Sequence, residues 1–189
     1  LNANKVREFS EFNDNVSVYQ AGLGIAYNFS PTQELVLQIT NIRNGEDKDM
    51  YIYGRPEGVG KAKVPVISTL NWNSWYAGKA IQLRYAAAWG QQAKGKNILY
   101  LTAGNTYEKG PIIAYLDVMY AREGLDSHGI ITDMQGPSVL TPTTAMNTEY
   151  LTFIADIDYR FHPHWNAYIK GAYETAGVYQ ENGIFEKGL

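Results

Sequence analysis

Charged and amide side chains recur at every second position of otherwise apolar runs in this chain, and that spacing is its main chemical feature. Asp156, Asp158 and Arg160 alternate with Ala155, Ile157, Tyr159 and Phe161. Gln82 and Arg84 alternate with Ile81, Leu83 and Tyr85, and Asp117 sits between Leu116 and Val118. Lys170 and Glu174 share a parity opposite Ile169, Gly171 and Tyr173, as do Gln38 opposite Leu37 and Ile39, and Asn73 opposite Trp72. Successive side chains of an extended chain point to opposite faces, so each run carries one polar and one apolar face. Where the apolar face can meet lipid, the opposite charges must border water or pair inside protein. Gln38, Asn73, Gln82, Arg84, Asp117, Asp156, Asp158, Arg160, Lys170 and Glu174 are therefore expected to line a water-filled interior. Their chemistry is electrostatic, the biasing of ions and polar solutes. A packed, salt-bridged interior of a small barrel or soluble sandwich is the competing reading.

Other candidate sites have weaker support. Gly54-Arg-Pro-Glu-Gly-Val-Gly-Lys61 resembles a phosphate loop, but Arg55 stands where the first glycine is required and Ala62 replaces the Ser or Thr. His162 and His164 lie at a turn, and two imidazoles fall short of a metal site. Asp126-Ser-His128 holds triad residue types without triad geometry, and Gly45-Glu-Asp-Lys-Asp49 does not match a calcium loop. With 0 Cys there is no disulfide framework, thiolate site or thiol nucleophile. No catalytic residue, metal or cofactor is expected. A net charge of −3 without a basic run argues against nucleic acid as a partner.

These side chains require long strands to place them. Thr148 to Phe161 alternates throughout, with Leu151, Phe153, Ala155, Ile157, Tyr159 and Phe161 on one face. A turn at His162-Pro-His-Trp165 leads into a second alternating run reaching Glu174. Soluble strands usually run about 5–6 residues, whereas a strand tilted across a bilayer needs roughly 9–11. The same pattern predicts strands over 17–29, 34–42, 64–76, 79–90, 97–106 and 111–121, making about eight in all. The run at Ile98-Leu-Tyr-Leu101 is apolar on both faces, so its orientation is not legible. Leu23, Ile25, Leu83, Tyr85, Leu116, Val118, Phe153 and Ile157 are expected to face lipid. Aromatics make up 13% of the chain, with 15 Tyr and 4 Trp, residues that suit a membrane interface. Mean hydropathy is −0.31, a value that misses barrels because half of each strand is polar.

The connections read short, long, short, medium, short, long, short, with Arg43–Lys63 and Arg122–Asn147 the long ones. Outer-membrane barrels alternate short periplasmic turns with longer extracellular loops in this way. The fold class expected is all-β, an antiparallel transmembrane meander across 1–189. An even strand count places both ends on the long-loop side, and Leu1-Asn-Ala-Asn-Lys5 has no signal-peptide pattern. The expectation is an internal piece of a longer barrel, lacking at least one strand at each end.

Tyr19-Gln-Ala-Gly-Leu-Gly-Ile-Ala-Tyr-Asn-Phe29, Gln82-Leu-Arg-Tyr-Ala86, Tyr115-Leu-Asp-Val-Met-Tyr120 and Phe153-Ile-Ala-Asp-Ile-Asp-Tyr-Arg-Phe161 look like strands of Gram-negative porins. Their texture resembles the phosphate-selective porin O/P-like proteins, particularly those of Bacteroidetes. The resemblance covers Val18 to about Tyr179. It implies a cell outer-membrane barrel of about sixteen strands, often trimeric, that passes small and often anionic solutes. Outer-membrane lipid, lipopolysaccharide and small polar solutes would be its partners. This chain departs from an anion-selective pattern by setting Asp117, Asp156, Asp158 and Glu174 beside Arg84, Arg160 and Lys170. The function expected is passive diffusion through a porin, not enzymatic turnover. The alternatives are a structural or binding barrel in an outer-membrane surface complex and a soluble ligand-binding barrel.

Overall fold

The computed structural model describes residues 21–41, 60–125 and 146–178. Eight antiparallel strands form one sheet in the order β1 to β8, each paired with its neighbour in sequence. They are β1 (Gly22–Ser30), β2 (Gln33–Asn41), β3 (Val66–Tyr76), β4 (Ile81–Ala93), β5 (Lys96–Lys109), β6 (Ile112–Leu125), β7 (Met146–His162) and β8 (Trp165–Val178). The shortest have 9 residues and the longest, β7, has 17. Among the described residues, helix is limited to one 3-10 turn at Ala77–Lys79.

Short turns gather at one end of the sheet. They are Pro31-Thr32, the turn around Gly78, Gly110-Pro111 and Pro163-His164. Gly78 and Gly110 have φ of 66° and 61°, a left-handed conformation that costs glycine little and other residues more. At the opposite end, the expected medium loop over Gln91–Lys96 is a correction: β4 runs on to Ala93 and β5 begins at Lys96. A register shift between Gln91 and Ala93, with Gly95 at φ 72°, lets the ladder continue into a tight turn. β5 and β6 also outrun their expected ends, reaching Lys109 and Leu125. Polar residues extend both strands because paired backbone, not side-chain hydropathy, sets where a ladder stops. Most of the two long connections lies outside the described residues.

Register decides which side chains share a face. Tyr27, Leu35, Trp72, Tyr85, Ala103, Val118, Phe153 and Tyr173 lie opposite one another in a row across all eight strands. Leu23, Ile25, Leu83, Leu116 and Ile157 have the same parity. This face is largely apolar and bare: Leu37, Leu70, Leu101, Leu116, Phe153 and Ile157 are all exposed. At about 3.4 Å per residue and the tilt of about 40° usual for a barrel strand, Leu151–Phe161 would rise about 25 Å. That height matches the apolar band of a membrane barrel, about 25 Å. Aromatics mark its turn-side border, with Tyr27 against Phe29 at 5.0 Å and Tyr159 against Phe161 at 6.3 Å between ring centroids. Near the other border, on the same face, Arg122 and Glu149 pair at 3.8 Å and Tyr120 donates to Glu149 at 3.0 Å. Charge thus returns to this face where the apolar band ends.

The opposite face holds most of the buried side chains. Met119, Ala121, Tyr150 and Ala176 form a cluster there, with Tyr100 packed against it. The ambiguous run in β5 is resolved by this packing. Ile98 is buried and Tyr100 half-buried on the polar face, while Leu99 and Leu101 take the apolar one. The Tyr100 hydroxyl donates to Glu123 Oε1 at 2.6 Å, and Glu123 is fully buried. A hydrogen bond to a buried charged group contributes about 1.5–3 kcal/mol, and its loss strands part of the carboxylate. Tyr100→Phe is expected to destabilise the sheet by about that amount, read as a lower urea midpoint with unchanged slope.

Candidate functional site

Each side chain expected to line an interior falls on the face opposite the bare apolar one. Strand parity is sufficient for this, because cross-strand partners in an antiparallel ladder point to the same side. Register then decides which of them meet. One row reads Asn28, Glu34, Asn73, Arg84, Gly104, Asp117, Ile154. The next row towards the short turns reads Gln82, Thr106, Tyr115, Asp156, Lys170.

Arg84 is the centre of the first row. Its Nη2 donates to Thr106 Oγ1 at 3.2 Å and lies 3.6 Å from Asp117 Oδ1. Both ion-pair side chains are mostly covered, at 23% and 13% exposure. On the same row Asn73 Nδ2 donates to Glu34 Oε2 at 2.9 Å. In the second row Asp156 stands directly opposite Lys170. Beyond it, Asp158 accepts from Asn166 Nδ2 through both carboxylate oxygens, each at 3.0 Å.

The remaining positions are spread along the wall. Glu174 lies one row towards the long connections and accepts from Thr152 Oγ1 at 2.8 Å. Gln38 lies a further row that way, in register with Gly24 and Thr69. Arg160 sits past Tyr159 near the turns, where its backbone N–H donates to Pro111 O at 2.8 Å. The sheet thus gathers Asn73, Gln82, Arg84, Asp117, Asp156 and Lys170 into two adjacent rows and leaves the others on either side. Fixed charges of both signs on one wall can orient and select ions. They do not form a nucleophile–base pair.

Glu34, Thr106, Gly104, Thr152 and Glu123 do not stand out in the sequence. Parity places Glu34, Thr106 and Thr152 on the polar face, but their partners lie on other strands. Gly104 carries no side-chain signal, and its importance comes only from standing between Arg84 and Asp117.

Among the described residues the other motifs give no assembled chemistry. His164 donates its backbone N–H to His162 Nδ1 at 3.2 Å, and the two rings are 5.5 Å apart at an exposed turn. Among the described residues no three His, Cys, Asp or Glu side chains converge in a way that could hold a metal. Of the phosphate-loop-like segment, only Gly60 and Lys61 are described, with Lys61 bridging to Ala93. Gly45–Asp49 and Asp126–His128 lie outside the described residues.

No curated protein and no solved structure matches the chain significantly. A family model does match, described as phosphate-selective porin O and P, and it spans residues 1–183. The match agrees with the all-β meander, the bare apolar band and the charged opposite wall. This chain belongs to the phosphate-selective porin O and P family, whose members are outer-membrane β-barrel channels.

Proposed function

We propose that this sheet is one wall of a water-filled pore through which small polar or ionic solutes diffuse passively. The observation that carries the reading is the division of the sheet. Arg84, Asp117, Asp156, Asp158 and Lys170 share one face, and the other face is exposed apolar surface. In such a wall every ladder hydrogen bond is internal, lipid meets the apolar side, and water meets the charges. Gln38, Asn73, Gln82, Arg160 and Glu174 complete the proposed lining. No chemical step is needed, since selection follows from pore width and fixed charge.

Among the described residues β1 and β8 pair with β2 and β7 alone, so each has one open edge. An open edge in hydrocarbon leaves unpaired backbone groups, each costing several kcal/mol. We infer that strands beyond the described sheet cover both edges and close a larger barrel. Planar-bilayer recording of the complete protein tests the channel. Discrete conductance steps are expected, and their absence from folded, membrane-inserted protein would reject the pore.

A further inference from the structure

We propose that Gly104 is a selectivity-determining position. Its missing side chain lets Arg84 reach across a whole strand to Asp117, which holds the guanidinium against the wall and away from permeating anions. The proposal rests on the pore reading above.

The geometry is specific to this position. Arg84, Gly104 and Asp117 are consecutive partners on β4, β5 and β6, so their side-chain positions share one row. In an antiparallel sheet neighbouring strands are about 4.8 Å apart, and next-nearest strands are about twice that. A direct ion pair between next-nearest strands must therefore pass over the residue between them. Arg84 Nη2 and Asp117 Oδ1 are 3.6 Å apart above Gly104. A Cβ added there would lie 2.9 Å from Asp117 Oδ1 and 3.3 Å from both Nε and Nη2 of Arg84.

What a methyl group would meet decides its effect. The atoms in its way are the ends of two flexible side chains, with no backbone atom among the three nearest. The ladder can stay intact while the ion pair is pushed apart. Glycine inside a strand weakens it, so alanine is also the better strand residue. Thr106 is Arg84's other partner, and a single hydroxyl does not neutralise the charge. In Gly104→Ala the guanidinium turns towards the lumen. The formal charge of the wall is unchanged, but its positive charge moves to where an anion can use it.

A double-mutant cycle in the complete porin tests this. Wild type, Gly104→Ala, Arg84→Gln and Gly104→Ala/Arg84→Gln are compared by reversal potential in planar bilayers under a KCl gradient near 0.1 M salt. Displacing one charge by several ångströms in screened water should raise the anion-to-cation permeability ratio about 1.5- to 2-fold in Gly104→Ala. Adding Gly104→Ala to Arg84→Gln should cause a distinctly smaller change, that of the displaced Asp117 carboxylate alone, because the main effect runs through Arg84. Equal shifts in both backgrounds would assign the effect to pore width and overturn the proposal. So would a conducting Gly104→Ala pore with wild-type selectivity. A silent wild-type pore would instead reject the channel itself. Should Gly104→Ala fail to assemble, Asp117→Asn releases the same guanidinium. Its shift must then be larger in the wild-type background than in the Arg84→Gln background; equal shifts would again overturn the proposal.

Discussion

Leu116→Arg is expected to abolish assembly of the barrel, or to reduce it severely, whereas Tyr115→Arg is expected to assemble. The two positions are adjacent on β6 and receive the same charge. Leu116 is the central member of the outward series Ile112, Ala114, Leu116, Val118, Tyr120 and is half exposed, at 50%, on the bare apolar face. Arg at the midplane of a lipid-facing barrel wall costs about 2–4 kcal/mol. That is a large share of a typical folding free energy of about 5–15 kcal/mol. Tyr115 points the other way, stands opposite Asp156, and can exchange a phenol for a guanidinium beside a carboxylate. Heat-modifiable mobility of the complete protein on detergent gels, followed by urea unfolding in lipid vesicles, measures both. If Tyr115→Arg were the damaging change and Leu116→Arg the tolerated one, the faces would be inverted.

Replacing Asp156 and Asp158 together by Asn is expected to turn the pore towards anions. Two residues apart on β7, the carboxylates share a face, with Lys170 opposite the first and Asn166 bound to the second. A wall charge acts over about a Debye length, roughly 10 Å at 0.1 M salt and about 3 Å at 1 M. Removing two negative charges at lumenal distances of several ångströms should raise the anion-to-cation permeability ratio about two- to fourfold at 0.1 M. At 1 M the change should nearly vanish. A shift that persisted at high salt would point to altered pore width. A conducting pore whose selectivity did not move would remove these carboxylates from the lining. Together with the Gly104 cycle, this separates two controls on selectivity: how many charges the wall carries, and which of them are turned into the wall.

Arg84 shows why the family name does not settle the solute. Its guanidinium is engaged by Asp117 and Thr106, and the neighbouring row sets Asp156 against Lys170. A phosphate near this face would meet Arg84 already paired with Asp117, and Lys170 set opposite Asp156. On electrostatic grounds the proposed lining, with its surplus of carboxylates, is expected to favour cations over anions.

The division into faces is legible in the sequence because it is a local property. Alternation in β7 and β8 assigns Leu151, Phe153 and Ile157 to one side and Asp156, Asp158 and Lys170 to the other without knowledge of any neighbour. Strand length and the abundance of Tyr and Trp carry the inference from strand to membrane wall. Pattern fails where local composition loses its contrast. Ile98-Leu-Tyr-Leu101 is apolar at both parities, and only contact with β6 shows that Ile98 and Tyr100 pack on the polar side around buried Glu123. The β4–β5 connection misleads for a related reason. Gln91 to Lys96 is polar, as a loop would be, yet a bulge keeps the backbone paired to Ala93. Which charges meet lies beyond the sequence altogether. Parity is set within one strand by stereochemistry, so a two-faced wall with most of its charges on one side follows from the order of residues. The Arg84–Gly104–Asp117 row exists only because three strands, separated by turns of fixed length, dock in one register. Which charges neutralise each other is therefore settled by folding, because it depends on distances between strands that no single strand encodes.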